Sequence, residues 1–283
     1  IQGVSLHALP GKLWSELVRH RHQPFFFFVH GFDAHGPHVL PLKYEATRFN
    51  PHYHGPLAST HFELWASAGS SPDELAQLLP FQRYSFECTR HLEQLGASDH
   101  VAAADLHHLL ALYDAQLYYL DHGLEELFQA LKNLNLMERT VLVILSDHGE
   151  AFGEHGLYAV HGRCYDEDTR IVLIIRDPRL RRRGKTVRHI VQAIDVMPTV
   201  LELLDLPIPA SAQGRSLGPL LWTGRDDGRD QVAVSVSAGE RAIRTPHWKL
   251  MSVSEAPAAL YRVARDPQEQ RNLIAKFPTI AAQ

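Results

Sequence analysis

Two cysteines in 283 residues, Cys88 and Cys164, exclude a disulfide framework and leave room for at most one bridge. No apolar run approaches the ~20 residues of a membrane-spanning helix; Pro24 to Val29 is among the longest. Neither sign of charge prevails. The 28 basic and 32 acidic residues are interspersed and sum to -4, which gives no footprint for nucleic acid or for an anionic membrane. Arg181-Arg182-Arg183 is the single basic run and reads as a solvated loop. The chain has no G-x-x-x-x-G-K-[ST], no G-x-S-x-G and no H-E-x-x-H, which excludes the P-loop, the serine-hydrolase elbow and the helical zinc site. Neither cysteine has a neighbouring base in Glu87-Cys88-Thr89-Arg90 or Arg163-Cys164-Tyr165, so both read as bystander thiols. No repeat and no signal peptide is visible. The first residue is Ile1 and a helical pattern, Lys12 to His20, begins almost at once, so the compartment stays open.

What is present is an ordinary globular composition, 45% hydrophobic, enough for one large α/β domain or a domain with a small appendage. Nineteen histidines are many for this length, and they cluster at residues 30, 35, 38, 52, 54 and 61, then at 148, 155 and 161. A handful at a site, with the others solvated or hydrogen-bonded, is the expectation.

Leu13, Leu17 and Val18 mark a short amphipathic stretch, and Phe25 to Val29 reads as a buried strand, bulky on both faces. That strand releases Asp33, His35 and His38, after which Pro41, Pro51 and Pro56 predict a long loop over 36–62. From Ser98 or Asp99 to about Asn133, Leu106, Leu109, Leu110, Tyr113, Leu117, Leu120, Leu124, Leu127, Phe128 and Leu131 recur at helical spacing, with Gly123 as a point of kinking or division. A turn at 136–139 leads into a second buried strand, Thr140 to Ser146, and Ile171 to Ile175 gives a third. His189 to Val191 reads as a further short strand. Asp195 is placed to cap a helix from Val196 to Leu204, with Pro198 harmless in its first turn. Beyond Trp222, the alternating runs Gln231 to Val236, Arg241 to Arg244, Trp248 to Val253 and Leu260 to Val263 predict a small antiparallel sheet with a closing helix.

The chemistry concentrates at Ser146-Asp147-His148-Gly149-Glu150, where an apolar strand ends in an acid and an imidazole. A carboxylate oxygen and an imidazole nitrogen suit a divalent ion, provided the backbone bends, which Gly149 allows. The same residues fit a helix N-cap equally well. Two donors are also too few for a closed metal shell. His155 and His161 in the following loop could meet an anionic substrate or stand exposed. Asp33, His35 and His38 sit at another strand end, and ligands gather at the carboxyl ends of strands, so both groups could serve one crevice.

Taken together, Ser146-Asp147-His148-Gly149-Glu150-Ala151-Phe152-Gly153-Glu154-His155-Gly156, His161-Gly162, Tyr165-Asp166-Glu167 and Arg170 to Ile175 closely resemble the metal-site segment of the sulfatases in the alkaline phosphatase superfamily. His30 to His38, Tyr113-Asp114 through Asp121, Asp195 to Leu201, Gln213 to Leu217, Arg241 to Arg244 with Trp248-Lys249-Leu250, and Asp266-Pro267 with Asn272-Leu273 resemble further landmarks of that family. The resemblance implies an alkaline-phosphatase-like α/β sandwich with a mostly parallel central sheet flanked by helices, over residues 1–223, and a small C-terminal antiparallel subdomain over 224–283. It implies metal ligation by Asp147 and His148, catalytic roles for His35 near the leaving group and His161 on the sulfate oxygens, and substrate contacts by His38 and His155. One divalent ion is implied, calcium first, with manganese, zinc or iron also compatible with the imidazole.

The family's nucleophile motif, C-x-P-x-R or S-x-P-x-R, whose Cys or Ser becomes formylglycine, is absent, as are its N-terminal metal-binding aspartates. The resemblance therefore implies a sulfuric ester hydrolase whose upstream region carries them. The implied substrate is a small-molecule or saccharide sulfate ester, with no nucleic acid partner. Two alternatives stand beside it. One is a phosphonate or phosphodiester hydrolase, or a phosphoglycerol-type transferase, of the same superfamily. The other is a chain without activity as given, exposing apolar surface and prone to aggregate.

Overall fold

The computed structural model describes residues 10–35, 48–54, 103–180, 184–224, 228, 231–237, 239–254 and 256–282. They fall into two compact units, Ile1–Glu138 with Gly156–Val160, and Arg139–His155 with His161–Gln283. Cys88, His38, Arg181 to Arg183 and the proposed caps Ser98 and Asp99 lie outside the described residues.

In the first unit, helix α1 (Pro10–His20) buries Leu13 and Leu17 along one stripe, as their spacing predicts, and packs on helix α2 (Ala103–Asn133). Helix α2 runs unbroken for 31 residues, so of the kink or division expected at Gly123 the division does not occur. Glycine keeps its N–H and costs only ~1 kcal/mol inside a helix, which a long packed helix absorbs. The buried face carries Leu109, Leu112, Ala115 and Leu131, whereas Leu110 and Leu117 stand exposed, so the stripe is narrower than the apolar pattern suggested. Phe25 to Val29 also departs from expectation. The segment is extended but joins no strand ladder among the described residues, and Phe26 and Phe28 are 75% and 67% exposed. An extended segment becomes a strand only where a neighbour takes its backbone hydrogen bonds.

The second unit contains the two strands that flank the D-H-G loop. Strand β1 (Leu142–Leu145) follows a single 3-10 turn, Met137–Arg139, and pairs antiparallel with strand β4 (Leu173–Arg176), Leu142 facing Arg176 and Leu145 facing Leu173. A parallel return is usually made through a long crossover helix; the connection here holds the short strands β2 (Ala151–Phe152) and β3 (Tyr158–Val160), a 3-10 turn at Glu154–Gly156 and the one-turn helix α3 (Asp166–Thr169), and the chain comes back in the opposite sense. Ser146 extends the ladder by one rung: its N–H donates to the Val172 carbonyl at 3.2 Å, and its hydroxyl accepts the Val172 N–H at 2.9 Å. Leu145, Val172 and Ile174 are exposed, so the buried character expected of both strands is only partly realised.

His189 to Val191 is irregular and not a strand. Helix α4 (Val196–Leu203) begins where expected, but Asp195 does not cap it with its side chain. That carboxylate instead accepts the N–H groups of Gln192 at 2.9 Å and Arg215 at 2.8 Å, tying the helix start to the strand of chain before helix α5 (Gly218–Thr223). Thr199, fully buried, links the two helices: its hydroxyl donates to the Asp195 carbonyl at 2.5 Å and accepts the Leu217 N–H at 2.8 Å. Thr199→Val preserves shape and strands the Leu217 donor, so a loss of ~1–3 kcal/mol is expected in chemical denaturation.

The C-terminal sheet is a meander of strands β5 (Ala233–Ser237), β6 (Glu240–Arg244), β7 (Lys249–Val253) and β8 (Ala256–Tyr261), all antiparallel in that order. The expected sheet is present, closed by the short helix α6 (Pro278–Ala281). Its inner face, Ala242, Met251, Ala259 and Tyr261, packs with Val263 against Cys164, so the loop beyond His161 is seated on this sheet. Burial raises the Cys164 thiol pKa, consistent with an inert buried thiol.

Candidate functional site

Strand β1 ends by presenting Asp147, with a side chain 74% exposed, and His148, which is two-thirds buried. The His148 ring nitrogen Nδ1 lies 2.7 Å from the Gly149 carbonyl. A carbonyl can only accept, so Nδ1 carries the proton and the lone pair is on Nε2. Nε2 stands 3.8 Å from the Asp147 carboxylate Oδ1, a separation that two ligands of one ion can adopt. A hard oxygen and an imidazole nitrogen whose tautomer is set by a backbone carbonyl are donor types that a divalent ion accepts, so the residues present fit the ion the resemblance implies.

His161 completes the group. Its ring stacks on His148 with centroids 3.9 Å apart and planes 25° from parallel. Its Nδ1 faces the buried Glu150 carboxylate at 3.4 Å. Burial, reinforced by the neighbouring His148, lowers the His161 pKa below its ordinary value of 6.5. Folding therefore favours the neutral ring, and the unfolded chain binds the additional proton. The stability this contributes is full above pH 6.5 and is lost as pH falls below that value. His161→Asn should flatten that part of a stability-against-pH curve, measured by denaturation between pH 7 and 5.

Gly149 matters through the space it leaves empty. It is not among the residues with positive φ. A Cβ there would lie 1.9 Å from the Glu167 carbonyl oxygen, a backbone atom that cannot step aside. The bend expected from glycine's conformational freedom is thus a close approach of two backbones.

His155 takes a different set of partners. At φ 53 it turns its ring flat onto Tyr165, centroids 3.6 Å apart, and brings Nε2 to 3.4 Å from the Glu167 carboxylate. His155, Glu167 and Glu269 bring one donor atom each within 4.8 Å of one another. Burial raises the pKa of both Glu167 and Glu269. The Lys249 ammonium, itself buried, is 2.8 Å from Glu269 and 3.0 Å from Asp166. The fixed cation already balances this acidic group.

In the first unit, His35 is half-buried. Its carbonyl accepts the Gln116 amide at 3.2 Å, and its ring tilts against Phe32 at 5.7 Å. The structure therefore brings together Asp147, His148 and His161, adds Glu150, and directs His155 toward Tyr165 and Glu167. Glu150 could have been suspected from its place in the motif. Ser237 and Glu240, which with Asp168 hold the loop after His161, carry no local signal because their partners lie 75 and 76 residues away in sequence.

The fold is alkaline-phosphatase-like. A protein solved in complex with its substrate D-glucosamine-2-N, 6-O-disulfate superposes with a TM-score of 0.76 at 18% identity, over 99% of this chain and 67% of that one. The phosphonate monoester hydrolase of Silicibacter pomeroyi superposes with a TM-score of 0.72 at 21% identity, over 99% and 58%. The sulfatase family model matches residues 11–206, and the model for the C-terminal part of N-sulphoglucosamine sulphohydrolase matches residues 153–281. The chain belongs to the sulfatase family. Arylsulfatase K of Gallus gallus is 29% identical over 189 residues, 62% of this chain and 35% of its own length. The Delta 4,5-hexuronate-2-O-sulfatase of Bacteroides thetaiotaomicron is 27% identical over 202 residues, 68% of this chain and 42% of its own length. The chain thus spans well under half the length of these curated relatives.

Proposed function

We propose that this chain supplies part of the active site of a metal-dependent sulfuric ester hydrolase acting on a sulfated saccharide. The observation that carries the proposal is the packing of His161 on His148 beside Asp147, within a segment matched by the sulfatase family model. Saccharide sulfates are favoured because one relative is a hexuronate sulfatase and one structural neighbour holds a disulfated glucosamine.

Asp147 and His148 would hold the ion, calcium first and manganese or zinc as alternatives, which when bound would supply positive charge against the sulfate oxygens. His148 Nε2 is the ligand nitrogen because Nδ1–H is committed to the Gly149 carbonyl. His161, neutral at pH 7 and held by Glu150, lies beside that ligand pair and contacts the sulfate oxygens of the substrate. His35 would give or take the proton of the leaving alcohol, with His38 contacting the substrate. His155 acts on the same loop from its stack with Tyr165, as a second substrate contact. The nucleophile, a formylglycine in this family, is on no residue of this chain, which holds neither C-x-P-x-R nor S-x-P-x-R. Residues 1–223 would make the sulfatase core and 224–283 the subdomain that supports it.

The test is sulfate release from sulfated hexuronate and glucosamine disaccharides, read by ion chromatography, using the protein that carries the nucleophile motif together with this chain. Turnover is expected there, and Asp147→Ala should lower it by about a hundredfold or more. The 283-residue chain alone should release none. Faster turnover of a phosphonate monoester than of any sulfate ester would move the assignment to the phosphonate hydrolase branch, which the Silicibacter pomeroyi neighbour keeps open.

A further inference from the structure

We infer that Asp168 is the positioning residue that sets His148 against His161, an inference that rests on the proposed function for its catalytic meaning. The two histidines are 13 positions apart and ride on separate loops, so something must fix one loop relative to the other. Asp168, only 4% exposed, touches both. Its backbone carbonyl accepts the Gly149 N–H at 2.7 Å, one residue beyond His148. Its carboxylate Oδ2 accepts the Arg163 N–H at 2.7 Å, two residues beyond His161. One buried residue therefore bridges the exits of both histidine loops through short bonds, and the bond to a carboxylate is the stronger kind.

The bridge is itself anchored. Asp168 lies in helix α3, whose first residue, Asp166, is held by Lys249 at 3.0 Å and by Arg244 at 3.1 Å, while the Asp166 N–H donates to Glu269 at 2.8 Å. The far side of the His161 loop is clamped from the same sheet. The Ser237 hydroxyl donates to the Gly162 carbonyl at 2.7 Å, and Glu240 accepts both Arg163 Nε at 2.5 Å and the Cys164 N–H at 2.9 Å. The C-terminal sheet thus holds the His161 loop and the start of helix α3, and Asp168 bonds to both histidine loops, beside the direct approach of Glu150 to His161. A ring pair 3.9 Å apart tolerates little slack, and ~1 Å of misplacement at a reacting centre can cost a hundredfold in rate.

The first arm of the test uses the chain itself and does not depend on activity. In the unmodified chain, a through-space NMR contact between the His148 and His161 rings is expected. Asp168→Ala should abolish it while the contact between the His155 and Tyr165 rings persists, because Asp168 bonds the Tyr165 carbonyl through its backbone N–H, which alanine keeps. Asp168→Asn keeps an acceptor oxygen for the Arg163 N–H and should retain the ring contact. A folded Asp168→Ala chain with the His148–His161 contact intact would overturn the inference, as would a folded Asp168→Asn chain that lost it. Where Asp168→Ala does not fold, amide exchange in the unmodified chain decides: Gly149 and Arg163 must be protected at least about tenfold, and free exchange at either refutes the bridge. In the second arm, in the protein carrying the nucleophile, Asp168→Ala should lower kcat by about ten- to a hundredfold with a smaller change in KM, and Asp168→Asn should restore most of it. No sulfate release from the unmodified protein would defeat the proposed function and leave the first arm standing.

Discussion

Lys249→Met is expected to be among the most destabilising single substitutions in the second unit, by about 3–5 kcal/mol. The Lys249 side chain is 1% exposed, and its ammonium is 3.0 Å from Asp166 and 2.8 Å from Glu269, whose own side chain is fully buried. Methionine fills the same volume, so the loss is electrostatic: the half-buried Asp166 keeps the Arg244 guanidinium, and the buried Glu269 is left without its cation. The pH dependence separates this cause from simple repacking. Burial already holds the Glu269 pKa above its ordinary value of 4.5, with Lys249 opposing the rise. A raised carboxyl pKa means that the fold prefers the protonated acid, so this contribution to stability is present below pH 4.5 and is lost as pH climbs through the folded value. Removing Lys249 lifts that folded value further, and the deficit of Lys249→Met should shrink as pH falls from 7 toward 4.5. Thermal denaturation at several pH values measures it. At pH 7 the melting temperature should drop by roughly 10 °C, and adding Glu269→Gln should recover part of the loss because the orphaned charge leaves with its partner. A shift under about 2 °C, constant with pH, would show that the cluster is not the electrostatic anchor described.

The sequence carried the composition of the candidate site more clearly than its geometry. Asp147, His148 and His161 could be singled out because a carboxylate and imidazoles at a strand end, in a run extending to Glu167, are chemically unusual and contiguous. The C-terminal meander was legible because its alternating runs lie on neighbouring strands and the turns between them are short. What the pattern could not convey is pairing. Whether Leu142 to Leu145 has a parallel or an antiparallel neighbour depends on how the intervening loop returns, and an apolar run looks the same either way. Phe25 to Val29 shows the related limit, since five apolar residues specify an extended backbone but not who accepts its hydrogen bonds. Asp195 failed as a cap for a comparable reason: a distant donor, the Arg215 N–H, competes for its oxygens. Glu240 and Lys249 were invisible as site supports because a buried charge is recognised by its partners, here 76 and 83 residues away.

Gly149→Ala should damage the site more than any other single-methyl change. In a loop, glycine is usually replaced at the cost of backbone strain alone, and alanine would then be tolerated at an ordinary φ. Here the added carbon falls 1.9 Å from the Glu167 carbonyl oxygen and 3.0 Å from its carbon, in a turn that Lys249, Arg244 and Glu269 hold in place. Neither backbone can yield without breaking the Gly149 N–H bond to the Asp168 carbonyl, so the D-H-G loop must move. The expected stability loss is about 1–3 kcal/mol, the ordinary range for overpacking, while the functional loss is larger because His148 and Asp147 move with residue 149. The His148 tautomer depends on the Gly149 carbonyl, which rotates in the same displacement. Divalent-ion affinity, measured by calorimetry with calcium and with manganese on the protein that supplies the other ligands, should fall by at least about tenfold, the usual cost of disturbing the partner of a ligating histidine. Retained affinity together with retained stability would mean that the loop has a second arrangement able to hold both residues, and the close approach at Gly149 would then be dispensable to the site.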